Sequence, residues 1–352
     1  MTTATATRVR LPVLTNSEQR TFRRCAREHH LAYGLGYRSV HKAEALRFGD
    51  LVHVGLEAWW RANDDARLEA AIDAMGPLAF DEFELVRAGV LLQGYDARWH
   101  DVPLAIIAVE SEFRATLINP ETGAASRTYE LAGKLDVIVR DLRDDLVYIV
   151  EHKTTSEDIG TGSPYWQRLQ IDPQISTYYA GAKAVGHDVA GCLYDVIKKP
   201  GLRPSQVPVT DERGSKIVLD ADGNRVRTKK GTWRQTGSTE EGYVLQTRLE
   251  TPDEFRQRLI EHIAENPDRY YQRGTVVRLE AEERDAAFDV WQTARLIREA
   301  EVAKRWPRNP DACVRYGREC DFFPVCTGAA SLDDTTLYRR TDNVHEELAE
   351  VA

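Results

Sequence analysis

From Phe83 to Trp99 the apolar residues Leu85, Val86, Val90, Leu91 and Tyr95 return at the spacing of one helical face. Upstream, Thr15-x-x-Glu18 has the form of a capping box opening a helix that carries Cys25, and a second helix is predicted over 43–62. The period then changes. Residues 105–118 are rich in apolar and β-branched side chains, and Pro120-Glu-Thr-Gly123 supplies a turn. Two further strands, 128–139 and 146–152, lie either side of the polar turn Arg143-Asp144-Asp145. Within them Val137-Ile-Val139 and Leu146-Val-Tyr-Ile-Val150 are apolar at every position, the mark of strands buried on both faces. A helix over 172–185 and a strand over 189–197 follow. This order, with helices in front, predicts an α/β fold with a sheet covered by helices.

The remainder is less regular. Residues 201–244 look like an insertion, with Asp222-Gly223 set between Lys216–Leu219 and Arg225–Arg227 as a hairpin turn. Thr251-Pro252-Asp-Glu254 opens another helix, and a long helix over 280–305 leads into a cysteine-bearing segment. No repeat or low-complexity stretch interrupts the chain. We expect one domain over 1–330 and an acidic, loosely ordered tail over 331–352.

Composition narrows the class. Hydrophobic residues make up 42% of the 352 and charged residues 29%, an ordinary globular balance. No apolar run reaches 18 residues, and Met1–Arg8 lacks a secretory leader, so the expected place is the cytoplasm of a bacterial or phage-infected cell. A net charge of −9 argues against a protein that coats nucleic acid through bulk charge. It leaves room for local contact: residues 8–47 carry nine Arg/Lys against three Glu, and 198–234 carry ten against four Asp/Glu.

Candidate chemistry centres on Asp136 and on Glu151-His152-Lys153. Asp136 falls within one predicted strand, and Glu151 and Lys153, two apart, share one face of the next. A short turn brings the acids side by side as a hard oxygen site suited to Mg²⁺ or Mn²⁺. A neighbouring lysine adds the cation that phosphodiester hydrolysis needs beside its metal-activated water. An ordinary salt bridge between strands is the plainer alternative, but charges within apolar strands are costly without a purpose. On the helix over 43–62, Gly49, His53 and Glu57 share a face, which lets His53 approach the acids. Gln174 and Tyr178, four apart on the next helix, offer an amide and a phenol.

Five cysteines are present, and Cys313, Cys320 and Cys326 fall within fourteen residues. That is metal-site spacing, and Cys25 is the natural fourth ligand. An iron–sulfur cluster, zinc and free thiols all remain open on the residues alone. Cys192 reads as a buried thiol within a strand. Lys198 and Lys199, and the cations around Trp233, are candidates for phosphate pairing and base stacking.

The motifs Gly-x-x-x-His-x-x-Leu-Glu, Gly-x-x-Asp, Glu-x-Lys and Gln-x-x-x-Tyr stand here in the order found in RecB-like nucleases of the PD-(D/E)XK superfamily. The chain resembles that family from about Cys25 to Cys326, including exonucleases of CRISPR-adaptation systems and phage-encoded relatives. The resemblance implies a restriction-endonuclease-like core, a mixed central sheet flanked by helices, with helical and iron–sulfur elements packed around it. It implies His53, Asp136, Glu151 and the His152 backbone carbonyl as metal ligands, Lys153 as the catalytic lysine, and Gln174 and Tyr178 as DNA contacts. It also implies a [4Fe-4S] cluster on Cys25, Cys313, Cys320 and Cys326, with zinc as the alternative occupant. Two departures are His152, where an apolar residue is usual, and the six-residue gap after Cys313, where two is usual. The implied activity is a metal-dependent deoxyribonuclease, an exonuclease acting on single strands or DNA ends, with recombination or replication proteins as partners. Its rivals are a non-catalytic DNA-binding or scaffolding protein on the same fold and a site-specific endonuclease subunit.

Overall fold

Strand β1 (Val13–Leu14) leads into helix α1 (Asn16–Arg24). The computed structural model describes residues 10–315 and 317–348, so the leader reading of Met1–Arg8 lies outside the described residues. Thr15 caps α1, its Oγ1 accepting from the Glu18 amide at 3.2 Å. The reciprocal half of the expected capping box is replaced, because the Glu18 carboxylate bonds His29 Nε2 at 2.8 Å. Cys25 does not ride within the helix. It is an extended joint (φ −159°, ψ 112°) between α1 and a short turn of helix over Ala26–His29.

Three helices follow: α2 (Glu44–Arg61), α3 (Arg67–Met75) and α4 (Glu82–Trp99). Asp81 caps α4, accepting from the Glu84 amide at 2.7 Å. The long strands β2 (Leu104–Ile118) and β3 (Ala125–Asp141) pair antiparallel, and β4 (Val147–Thr155) returns along β3. Helices α5 (Pro164–Leu169) and α6 (Pro173–Ala184) cross over to β5 (Gly191–Lys198), which lies parallel to β4. After the insertion come α7 (Pro252–Glu265), edge strand β6 (Tyr271–Val276) and α8 (Glu280–Ala303).

The sheet runs β1-β3-β4-β5-β6, with β2 also on β3. The β1–β3 and β4–β5 pairs are parallel and the others antiparallel, which makes the sheet mixed, as expected. It is buried on both faces. Val137, Val139 and Val150 pack on one side with Trp59, Leu91 and Phe255 of α2, α4 and α7. On the other, Leu135, Ile149 and Cys192 pack with Ile175 and Tyr178 of α6. Each such side chain contributes roughly 1.5–3 kcal/mol of burial, enough to hold charged residues between the layers.

Two expectations change. The segment after Ser331 is not a loose tail over its described part: Tyr338–Arg340 pairs antiparallel with Tyr37–Ser39. Tyr338 stacks on Phe322 at 5.7 Å, and Leu348 is buried with Val13 and Ala132. Its apolar residues are too widely spaced to show a period, yet Tyr338 packs with Leu31 and Ala32 and Leu348 with the strands that carry Val13 and Ala132. The insertion is a ladder of short hairpins, with Gly223 at φ 81° in the expected turn. Trp233 is not an open stacking platform, since the Arg225 and Arg227 guanidiniums already lie 4.1 and 3.8 Å from its ring centre. Among the described residues no helix is long and apolar enough to cross a membrane.

Candidate active site

The ladder between β3 and β4 ends at Val137↔Val150. One residue further on, Asp136 and Glu151 would be partners, but here the strands part. The Asp136 carboxylate fills the gap by accepting from the His152 amide at 2.8 Å. Glu151 is 1% exposed, and its Oε1 takes the Lys153 ammonium and the Gln174 amide, the latter at 2.9 Å. Its Oε2 is buried with no hydrogen-bond partner.

An orphaned carboxylate oxygen beside a second acid is a site short of positive charge. Burial, and then the Asp136 charge, push the Glu151 carboxyl up to about 8 against the pull of Lys153. Burial alone would depress the Lys153 ammonium, but Glu151, Tyr178 and Asp136 hold it above the ordinary lysine range. A divalent cation supplies the missing charge, so the donor set fits one. On α2, half-buried His53 faces this charge: burial pushes its imidazole down to about 4 while Asp136 opposes the shift. Neutral imidazole is the form that ligates a metal. Among the described residues no three His, Cys, Asp or Glu side chains close on one point at ligating distance.

Motif glycines set these distances. A Cβ on Gly49 would stand 3.0 Å from Thr154 Oγ1, so α2 packs directly on the end of β4. A Cβ on Gly133 would meet the Phe113 ring at 2.8 Å, and one on Gly181 would meet it at 2.5 Å. Phe113 thus fixes the spacing between β3 and α6.

Gln174 and Tyr178 sit elsewhere than at a DNA surface. Both are buried, and the Gln174 amide donates to Glu151 and to the Tyr178 hydroxyl at 2.6 Å. They roof the acid rather than face solvent. Sequence reasoning missed Glu110. On β2 it adopts φ 53°, is skipped by the ladder opposite Asp136, and pairs with Lys134. Burial raises its carboxyl, and Asp136 adds to the shift. Nothing in the local sequence marks a glutamate that will leave its strand in this way.

His152 points through the sheet, as alternation requires. Its Nδ1 lies 3.5 Å from Asp195 Oδ2, which also accepts from Tyr95 at 2.7 Å and pairs with Arg273 at 2.7 Å. Asp195 is fully buried, and Arg273, followed by His152, holds its carboxyl well below the usual range against the cost of burial. This polar cluster braces the reverse side of β4. Lys198 and Lys199 line a separate cavity of about 550 Å³ with Arg87, Arg203 and Arg269. The Lys199 ammonium donates to the Ala45 carbonyl, which ties the end of β5 to the start of α2.

The four remote cysteines form no disulfide and are half-buried. Cys25 and Cys313 lie near enough to act on the Cys326 thiol, which burial raises. The Cys320 amide donates to the Cys313 carbonyl at 2.7 Å, and Asn309 donates to the Arg24 carbonyl at 2.8 Å. The chain therefore brings Cys25, from near its start, close to Cys313 and Cys326, from near its end, although among the described residues no three of these thiols close on one point. Cys192 stands apart in β5, fully buried.

A mixed sheet that parts over two acids and a lysine is the arrangement expected of a nuclease that works with a divalent metal. The profile described as the PD-(D/E)XK nuclease superfamily matches residues 13–327, and the chain belongs to that superfamily. Membership implies DNA as the substrate, and nucleases of this superfamily use divalent metals such as Mg²⁺ or Mn²⁺. No curated protein matches the chain. A solved structure described as "Crystal structure of SSO0001" is similar at 16% identity and a TM-score of 0.21, over 49% of this chain and 68% of that one, too slight a likeness to carry an argument.

Proposed function

We propose that the protein is a RecB-like exonuclease that hydrolyses phosphodiester bonds at DNA ends or along single strands. The observation that carries this reading is Glu151, whose buried, unpartnered Oε2 stands beside Asp136 where β3 and β4 part. Asp136, Glu151 and His53, with the His152 carbonyl, would hold Mg²⁺ or Mn²⁺. When bound, the metal lowers the pKa of a water and polarises the phosphate. Lys153, whose ammonium the neighbouring Glu151 favours, would stabilise the negative charge that grows on the phosphorus oxygens. Gln174 and Tyr178 keep Glu151 from rotating away from Asp136. On the same reading Cys25, Cys313, Cys320 and Cys326 hold a [4Fe-4S] cluster that closes the chain end to end, and zinc would serve the same closure.

The test is digestion of end-labelled single- and double-stranded DNA with Mg²⁺, Mn²⁺ or chelator, beside Glu151→Gln. Metal-dependent loss of label in the parent alone supports the reading. Uniform internal cutting would overturn the exonuclease assignment, and DNA binding without cleavage in either metal would point to a scaffold instead.

A further inference from the structure

On the Glu151 side of β4 lies a cavity of about 530 Å³ that contains Lys153. One wall is the end of β4 and the turn at Asp172. The two arms that carry the cysteines also contribute to the lining: Arg20 of α1 and Arg315 of the segment between Cys313 and Cys320. That segment is a short hairpin, Val314–Arg315 pairing with Arg318–Glu319, and the Cys320 amide to Cys313 carbonyl bond closes its base. We propose that this hairpin is a substrate grip: Arg315 and Arg20 hold the phosphodiester backbone of a single DNA strand whose scissile phosphate rests at Lys153.

Charge supports a phosphate ligand. Arg20, Lys153, Arg168 and Arg315 line the cavity against Glu157 and Asp172. Glu157 pairs with Arg168 at 2.9 Å, Lys153 with Glu151, and Asp172 caps the Gln174 amide at 2.9 Å, so with Glu151 included four cations still stand against three acids. The volume lies within the range of small-ligand pockets, room for a nucleotide or two rather than a duplex. The Cys-x₆-Cys gap now has a use. A two-residue gap leaves no chain for a hairpin, whereas the longer gap here lets Val314–Arg315 pair with Arg318–Glu319 and places Arg315 in the lining of the cavity that contains Lys153. The cysteine element then does more than close the fold, because it presents two cations to the substrate.

This inference rests on the nuclease reading, so its test separates the two. Binding of a fluorescent oligothymidylate is measured in Ca²⁺ and in chelator across a salt series, with cleavage in Mg²⁺ alongside. Arg315→Ala and Arg20→Ala are each expected to weaken binding roughly fivefold. Each should lower the slope of log K against log salt by about 0.7, the value for one single-strand phosphate contact. Melting temperature and iron or zinc content should be unchanged, and Arg315→Lys should restore the slope. Arg256→Ala, an exposed cation on α7, should match the parent. Parent-like affinity and slope in both alanine variants, with a parent that cleaves, overturns the grip and leaves the nuclease reading standing. Equal weakening on duplex DNA overturns the single-strand assignment. A parent that neither binds nor cleaves DNA removes the nuclease reading first.

Discussion

At the scale of single residues, the acid proposed for the metal site is also a structural liability. Glu151 has a carboxylate oxygen with no partner in the protein's interior. Without metal this costs stability, since a buried polar group without a bond loses its hydration for nothing. Glu151→Gln keeps the shape and removes the charge. It is expected to melt above the parent in chelator, while metal-dependent cleavage falls below detection. Added Mg²⁺ should raise the parent's melting point and leave the variant's unchanged, because only the parent's folded state binds. A variant less stable than the parent in chelator would show that the charge is compensated after all. Asp136→Ala and Lys153→Ala should likewise abolish cleavage with the fold intact by circular dichroism.

At the scale of elements, the site depends on close approaches that admit no extra carbon. Gly181→Ala would put a Cβ 2.5 Å from the Phe113 ring. The expected loss is about 1–3 kcal/mol by denaturant titration. The rate should fall with it, because α6 carries the Gln174 that holds Glu151. A second joint is Glu250, which accepts from the Ser205 amide at 2.9 Å and pairs with Arg258, clamping the base of the insertion to α7. Arg258 holds the Glu250 carboxyl below its ordinary value. The stabilisation is thus fully present above the unfolded glutamate pKa and is lost as pH falls through the lower folded value. Glu250→Gln should melt below the parent at neutral pH, with the gap closing as the pH falls below the unfolded glutamate range. A gap that persists in acid would mean that shape rather than charge holds the joint.

Much of this level was legible beforehand. The strands around Asp136 and Glu151 announce themselves by unbroken apolar runs, and helices 43–62 and 83–99 fall within a residue or two of α2 and α4. Strand alternation puts Glu151 and Lys153 on one face, and the short turn between the strands puts Asp136 beside Glu151. Other features could not be read. Cys25 breaks its helix although no proline or glycine marks the break, because the cysteine segment docks there through Asn309 and Pro307. Gln174 and Tyr178 look like surface groups by type, and only the packing of α6 on the sheet turns them inward. The cluster of His152, Tyr95, Asp195 and Arg273 draws on four elements and leaves no local pattern.

At the scale of the molecule, the chain is closed twice. A group held by the four cysteines would join residue 25 to residue 326, and Tyr338–Arg340 completes a sheet with Tyr37–Ser39. Cys25→Ser should therefore cost bound iron or zinc as surely as Cys313→Ser, lower the melting point, and slow cleavage through displacement of α1 and its Arg20. Cys192→Ser should keep the metal, since its thiol lies fully buried in β5. Retention of metal by the first or its loss by the second would mean a different fourth ligand. The second closure has a geometric corollary. Val13 and Leu348, near opposite ends of the described chain, rest on the same Ala132. The order in which the polypeptide is written is then nearly arbitrary. A circular permutant with its old ends linked, and with new ones opened between Asp222 and Gly223 at an exposed hairpin tip, should cut DNA as the parent does.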